Sequence, residues 1–184
     1  MGRFMSKESD VSVWLVPVAE QEERIQGIIE GLAEKYGCVP FIPHLTLYHL
    51  GVDVPVEEVV EALKNVLVGA DWVGAEAVDV GYSDAFTKTL FVVCEVDRGF
   101  VDLYERLRKM WKGVHDYELN PHMSLAYSTK MSEEEKKMEA GRVSGIDKLV
   151  SDRVMVVVRE GGGVKRESDV ADWEVVFEEK LGDE

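Results

Sequence analysis

The chain has 184 residues, of which 46% are hydrophobic and 31% charged, and carries a formal net charge of −15. That length suits a single domain, or one domain of two fused lobes, and can bury a core without staples. Such acidity repels long polyanions, which bind through Lys and Arg displacing counterions, so extended nucleic acid is disfavoured; a small anion in a local pocket is not.

No stretch approaches the ~20 apolar residues of a membrane-spanning helix. Residues 1–20 lack the charged start and apolar block of a secretory signal. Met1-Gly2-Arg3-Phe4-Met5-Ser6 fits a myristoylation pattern, but the pattern is common by chance and the acidic body opposes an anionic leaflet. A cytoplasmic monomer without a membrane partner is expected. Cys38 and Cys94 lack metal-ligand spacing, and Cys94 reads as a small core hydrophobe.

Residues 1–10 read as a polar, frayed start. Val11 to Val18 is β-branched and aromatic, a buried strand ending near Pro17. From Gln21 to Tyr36 the residues Ile25, Ile28, Ile29, Leu32 and Tyr36 recur at helical spacing, and Gly37 stops the helix. A Pro-bounded connection leads to a strand over His44–Leu50. Val56 to Val68 predicts a second helix, with Val59, Val60, Leu63 and Leu67 on one face, followed by a strand over Val73–Tyr82. Ser83–Lys88 is a polar turn carrying Phe86, and Leu90–Val96 is another buried strand. Phe100–Val114 predicts a third helix, striped by Leu103, Leu107, Met110, Trp111 and Val114, before a strand over His122–Ser128. Ser132 and Glu135 fit a capping box on a short charged helix. Its acidic run, Glu133–Glu135, reads as a solvated face. Val150–Glu160 and Trp173–Leu181 predict the last strands. The loop between them, starting at Gly161-Gly162-Gly163, is expected to be mobile.

Two stretches stand out: Pro43-His44-Leu45-Thr46-Leu47 and Pro121-His122-Met123-Ser124-Leu125. They lie 78 residues apart, and a shift of 78 superposes more than the motifs. Ser12–Val18 falls on Leu90–Val96. Ile25, Ile29, Leu32 and Tyr36 fall on Leu103, Leu107, Met110 and Val114. One domain over residues 1–184 with an internal strand–helix–strand repeat, about 11–50 and 89–128, accounts for this. The predicted fold class is α+β: two pseudo-symmetric lobes, each an antiparallel sheet flanked by helices, around a central cleft.

Strand parity places His44 with Thr46, and His122 with Ser124, while Leu45, Leu47, His49, Met123, Leu125 and Tyr127 point away. Each lobe thus offers one imidazole and one hydroxyl to a shared pocket. Two facing imidazoles can divide general acid and base work near neutrality, and the hydroxyls can hydrogen-bond a phosphoryl group as its charge builds. That chemistry needs no metal and suits a cyclic phosphodiester, whose leaving oxygen requires one proton. The sequence does not say which histidine is acid and which is base. His49 and His115 lack a partner pattern and read as surface or packing residues; Trp14 reads as core.

These paired His-x-Thr/Ser elements resemble the two-histidine (2H) phosphoesterase superfamily, and specifically its cyclic nucleotide phosphodiesterase branch known from plants and yeast. Ser12-Val13-Trp14-Leu15, the segment before Leu90, Pro121–Tyr127 and Asp172-Trp173 carry the resemblance along nearly the whole chain. It implies a cofactor-free, metal-independent hydrolase acting on a small-molecule cyclic phosphate. The implied substrates are ADP-ribose 1″,2″-cyclic phosphate and nucleoside 2′,3′-cyclic phosphates, the latter giving 2′-phosphates. By the same resemblance His44 and His122 are catalytic, and Thr46, Ser124 and Tyr127 bind substrate, although parity turns Tyr127 away unless the strand end twists. Where many relatives have glutamine this chain has Lys88, and Phe86 is the candidate stacking residue. The competing readings are an RNA-end 2′–5′ or 3′–5′ phosphodiesterase of the same superfamily, a nucleotide-binding module without turnover, and a histidine metal site. The last is weak with two histidines and no adjoining ligand set.

Overall fold

The structure, a computed structural model, describes residues 9–51, 54–113 and 115–182. In chain order the elements are β1 (Asp10–Pro17), α1 (Ala19–Tyr36), β2 (Leu45–Gly51), α2 (Val56–Leu67), β3 (Val73–Tyr82), β4 (Leu90–Val96), α3 (Arg98–Trp111), β5 (His122–Ala126), α4 (Glu133–Ala140), β6 (Lys148–Arg159), α5 (Glu167–Val170) and β7 (Glu174–Lys180). Val114 of the expected α3 stripe, and residues 1–8 of the start expected to fray, lie outside the described residues.

All strand pairings are antiparallel, in the order β1-β2-β5-β4-β3-β6-β7, with β6 also beside β1. The long β6 makes this possible. Its first residues pair with β3, and the remainder runs between β1 and β7. One lobe is therefore β2-β1-β6-β7 and the other β5-β4-β3 with the start of β6. The lobes meet again at a single partner pair, Leu45 with Met123. Those residues are equivalent under the 78-residue repeat, as a pseudo-two-fold axis through the pair requires.

From Val13 to Val16 β1 is apolar on both faces because both are covered there. Val11, Val13 and Leu15 enter the main core beneath the helices. Trp14 and Val16 join Met155 and Val157 of β6 in a second cluster on the other face, together with Ile42 and Trp173. α1 buries Ile25, Ile29, Leu32 and Ala33, and ends on Gly37 at φ 65°, whose N–H donates to the Ala33 carbonyl. α3 buries Phe100, Leu103, Tyr104 and Leu107, whereas Met110 of the expected stripe is 47% exposed. Its cap also ties it to the sheet: Asp97 accepts from Phe100 N at 2.8 Å and from Gly74 N at 2.5 Å.

One expectation gains a detail and one needs correcting. α4 has its capping box at Ser132 and Glu135, and Glu133 and Glu134 face solvent as expected, but charge also fills its inner face. Lys136 is buried and donates to the Ser83 carbonyl (3.0 Å) and to Asp84 (2.8 Å), which pins the turn before β4. Glu139 accepts from Lys35 (2.5 Å), the Tyr36 hydroxyl (2.7 Å) and Arg142 (3.2 Å), and these partners, Lys35 foremost, hold its carboxyl below the usual range. With no apolar stripe to bury, this helix docks through charge pairs. The glycine loop is likewise tied down. Buried Arg159 pairs with Asp169 at 2.8 Å and donates to the carbonyls of Gly161, Gly162 and Gly163, while Asp169 accepts from the N–H groups of Lys165 and Arg166.

Because the Asp97 carboxylate caps α3 and fastens it to β3, Asp97→Ala should destabilise the fold by about 1–2 kcal/mol, the range for a lost N-cap. Urea denaturation measures this; an unchanged midpoint would show that the cap carries none of the stability.

Candidate active site

The register at the lobe junction sets the stage for the site. Extending the Leu45–Met123 pairing by one residue each way puts His44 opposite Ser124 and Thr46 opposite His122, all four on one face. The two imidazoles are also fixed in the same way. His44 Nδ1 is 2.6 Å from the Ile42 carbonyl, and His122 Nδ1 is 2.7 Å from the Asn120 carbonyl, each two residues upstream. A carbonyl only accepts, so Nδ1 carries the hydrogen in both rings and the neutral Nε2 presents a lone pair.

The surroundings of the two rings differ. His44 is 5% exposed and lies flat on Trp14, with ring centroids 3.6 Å apart and planes within 6°. Trp173 stands edge-on to it at 6.1 Å. Burial pushes the His44 pKa down to about 4; the Ile42 carbonyl opposes the shift and nearby His122 adds to it. The half-buried His122 meets the edge of Phe91 at 5.8 Å. Its pKa is also lowered, first by burial, against the Asn120 carbonyl and with help from the Lys88 ammonium. Lys88 lies 4.5 Å over the Phe91 ring. The ring fits there because its strand partner on β3 is Gly81, where a Cβ would come within 2.7 Å of it.

Trp14 and Phe91 do equivalent work, since Trp14 pairs with Thr46 and Phe91 with Ser124. An ungapped shift of 78 would instead match Trp14 with Val92. The irregularities between Val13 and Trp14, and between Leu90 and Phe91, are equivalent and leave Leu47 and Leu125 unpartnered alike. On both sides of them the outer strands match one residue short of the motif spacing (Val13 with Leu90, Trp14 with Phe91, Leu15 with Val92), which brings an aromatic ring beside each motif.

A cavity of about 310 Å³ opens at this place, walled by Asp10, Ser12, Trp14, His44, Thr46, His49, Thr87, Tyr117, Tyr127, Gly163, Val164 and Trp173. Thr46 is in the wall, and His122 lies beside the cavity rather than lining it. Ser124 is buried, and its hydroxyl donates to the Thr87 carbonyl at 2.9 Å, so contact with a phosphoryl group requires that hydroxyl to rotate. Tyr127 reaches the cavity because Leu125 has no partner between the pairs Leu90–Ala126 and Phe91–Ser124, so the phase of the strand reverses before it. Its ring stacks on Phe41 at 4.1 Å; burial pushes its phenol up to about 12, against a hydrogen bond with Ser124. Phe86 does not line the cavity. It packs against the core and meets Tyr127 at 5.9 Å, leaving Trp14, Tyr117, Tyr127 and Trp173 as the aromatic walls.

Parity also misplaces His49. Leu47 has no partner between the pairs Val13–Tyr48 and Trp14–Thr46, so the strand bulges and its phase reverses. His49 therefore shares the cavity face with Thr46, bonding Ser12 Oγ through Nδ1 (2.9 Å) and facing Asp10 through Nε2 (3.2 Å). The sequence held one signal of this: consecutive Leu47 and Tyr48 break the alternation of apolar residues. Asp10 gave no comparable sign. Among the described residues no group of three or more His, Cys, Asp or Glu side chains could hold a metal ion.

The buried His44 gives the fold a pH signature. Between about pH 4 and 6.5 the unfolded chain binds a proton at this residue and the folded chain does not. The associated stability is present in full above 6.5 and is lost as pH falls toward 4. His44→Gln should remove that component, so the wild-type advantage over the variant in unfolding free energy should shrink between pH 7 and 4. A constant difference across that range would contradict the burial of an uncharged ring.

The solved structures similar to this chain share its architecture at low identity. E. coli LigT in apo form aligns at 17% identity with a TM-score of 0.58, covering 97% of this chain and 100% of LigT. LigT complexed with 3′-AMP gives 16% and 0.58, covering 96% and 99%. The protein TT0787 of Thermus thermophilus gives 19% and 0.55, covering 94% and 97%. A search of curated proteins finds no match. A family model described as the 2′-5′ RNA ligase superfamily matches residues 15–162. With both His-x-Thr/Ser strands inside that span, the chain belongs to the 2′-5′ RNA ligase superfamily of 2H phosphoesterases.

Proposed function

We propose that this protein is a metal-independent cyclic phosphodiesterase acting on small nucleotide substrates, with His44 as general base and His122 as general acid. The observation that carries this reading is the matched pair of imidazoles, both fixed by Nδ1 to a carbonyl and both presenting Nε2, in unequal environments. His44, buried and depressed to about 4, is neutral near pH 6 and can only accept a proton. His122 is less enclosed and is the ring that can carry one.

In the reaction, water attacks phosphorus while His44 Nε2 takes its proton. The phosphorus–oxygen bond to one ring oxygen breaks, and His122 Nε2 protonates that oxygen, leaving a phosphate monoester. Thr46 and Tyr127 line the cavity and can donate to non-bridging oxygens, joined by Ser124 once its hydroxyl turns from Thr87. Tyr127, with its phenol pushed up to about 12, remains a donor throughout the working range. Nucleoside 2′,3′-cyclic phosphates, cleaved to 2′-phosphates, and ADP-ribose 1″,2″-cyclic phosphate are the proposed substrates, and membership of the cyclic nucleotide phosphodiesterase branch of the superfamily is part of the same proposal. The cavity size and the presence of 3′-AMP in a LigT structure support a small nucleotide; the net charge of −15 weighs against extended RNA.

His44→Gln and His122→Gln should each lower kcat on adenosine 2′,3′-cyclic phosphate by roughly 10²–10⁴, the usual worth of a general acid or base. Circular dichroism should stay native and EDTA should leave turnover intact; full activity in both variants would remove the two-histidine mechanism. The pH profile of kcat/KM, which reports the free enzyme, should be a bell with its maximum on the acid side of neutrality. The rising limb follows His44 and the falling limb the lowered His122. A maximum above pH 8 would contradict this assignment.

A further inference from the structure

The cavity is chemically polarised across the sheet. On its β1 side are Asp10, Ser12 and His49; on the β4 side, beyond the β2–β5 junction, Lys88 stands near His122. We propose that Asp10, Ser12 and His49 form a nucleoside subsite that reads hydrogen-bond donors on the base and ribose of the substrate and rejects a second phosphate there. This inference rests on the phosphodiesterase reading above and specifies the substrate class of that same site.

The donor and acceptor roles follow from the geometry. Asp10 and His49 Nε2 are 3.2 Å apart, and the carboxylate can only accept, so the tautomer that suits this contact carries its hydrogen on Nε2. In the neutral ring Nδ1 then accepts from the Ser12 hydroxyl at 2.9 Å, which turns the Ser12 lone pairs outward. What remains for a ligand at this end is a set of acceptors: the carboxylate and the Ser12 oxygen. The Asp10 side chain is only 11% exposed, so solvent screens it weakly. Tyr117, whose ring centroid is 6.4 Å from that of His49, and Trp173 supply flat apolar walls. Amino and hydroxyl groups of a nucleoside suit such an end, and a phosphate does not. At the opposite side the Lys88 ammonium makes no ion pair among the described residues and offers its charge to the reacting phosphoryl group. The two sides together set the direction in which a cyclic nucleotide lies, with its phosphate between the imidazoles and its nucleoside over β1. They favour a 2′,3′-cyclic nucleoside phosphate with a free 5′-hydroxyl over one extended by further phosphates, and so rank it above ADP-ribose 1″,2″-cyclic phosphate, whose pyrophosphate would have to leave the cavity away from Asp10.

The test compares the wild-type protein with Asp10→Asn and Ser12→Ala on three substrates. These are adenosine 2′,3′-cyclic phosphate, its 5′-phosphorylated form, and glycerol 1,2-cyclic phosphate, which has neither base nor ribose ring. Asp10→Asn should lower kcat/KM for the adenosine substrate by about 10- to 100-fold, as expected when a hydrogen bond to a charged group is lost. The preference for adenosine over glycerol should fall by a similar factor, and the discrimination against the 5′-phosphate should narrow. Ser12→Ala should act in the same direction, more weakly. Equal losses on all three substrates, or no loss on any, would overturn the subsite. If the wild-type protein turns over none of them, the phosphodiesterase reading fails, and calorimetric titration with 2′-AMP and glycerol 2-phosphate decides the subsite separately. A preference for 2′-AMP that Asp10→Asn reduces supports it; equal binding of the two overturns it.

Discussion

One antiparallel partner pair, Leu45 with Met123, determines where the two imidazoles stand. It is the only point at which the motif strands are partnered among the described residues. Because the two residues are equivalent in the repeat, each residue beside one has its counterpart beside the other. His44 then faces Ser124 and Thr46 faces His122 without further adjustment. A slip of one residue at this junction would turn a histidine and a hydroxyl of one lobe into the core, since side chains alternate with period two. The buried neighbours Leu45, Leu47, Met123 and Leu125 oppose that slip. The core thus enforces the register, and the register sets out the chemistry.

The backbone is nearly symmetric and the chemistry is not. Both rings hang from the carbonyl two residues upstream, so both present the same nitrogen. Beyond that the lobes diverge. Trp14 lies flat against His44 and encloses it, whereas Phe91 meets His122 only by its edge and carries Lys88 on its face. Enclosure without a charged partner drives an imidazole toward neutrality, and the more enclosed ring goes furthest. A duplicated unit can thereby yield one base and one acid while keeping the same residue at both positions.

Much of this was readable from the residues. The Pro-His-x-hydroxyl-Leu motif strands, the strand–helix–strand order and most of the helical stripes, Met110 apart, are found in the structure because each depends on local periodicity. What failed to show depends on irregularity or on charge. The unpaired Leu47 reverses the phase of β2, and no propensity rule locates such a bulge, although the Leu47-Tyr48 doublet marks it in hindsight. The unpaired Leu125 does the same on β5 and brings Tyr127 round to the cavity. The one-residue slide that matches Phe91 rather than Val92 to Trp14 is invisible to an ungapped comparison. The inner face of α4 and the Gly161–Gly163 loop were hidden for another reason: Glu139, Lys136, Arg159 and Asp169 show no sign in the sequence of the charged partners that hold them. His49 belongs with these, since Asp10 and Ser12 give it a role only once β1 lies alongside β2.

The central claim is that two imidazoles share one phosphoryl site, and two-dimensional NMR of the histidine side chains tests it most directly. Titration with 2′-AMP, the proposed product, should shift the ring resonances of His44 and His122 together, along saturation curves with one common Kd. Movement of one ring alone, or two curves with different midpoints, would mean that the rings do not address the same phosphorus and would contradict the account.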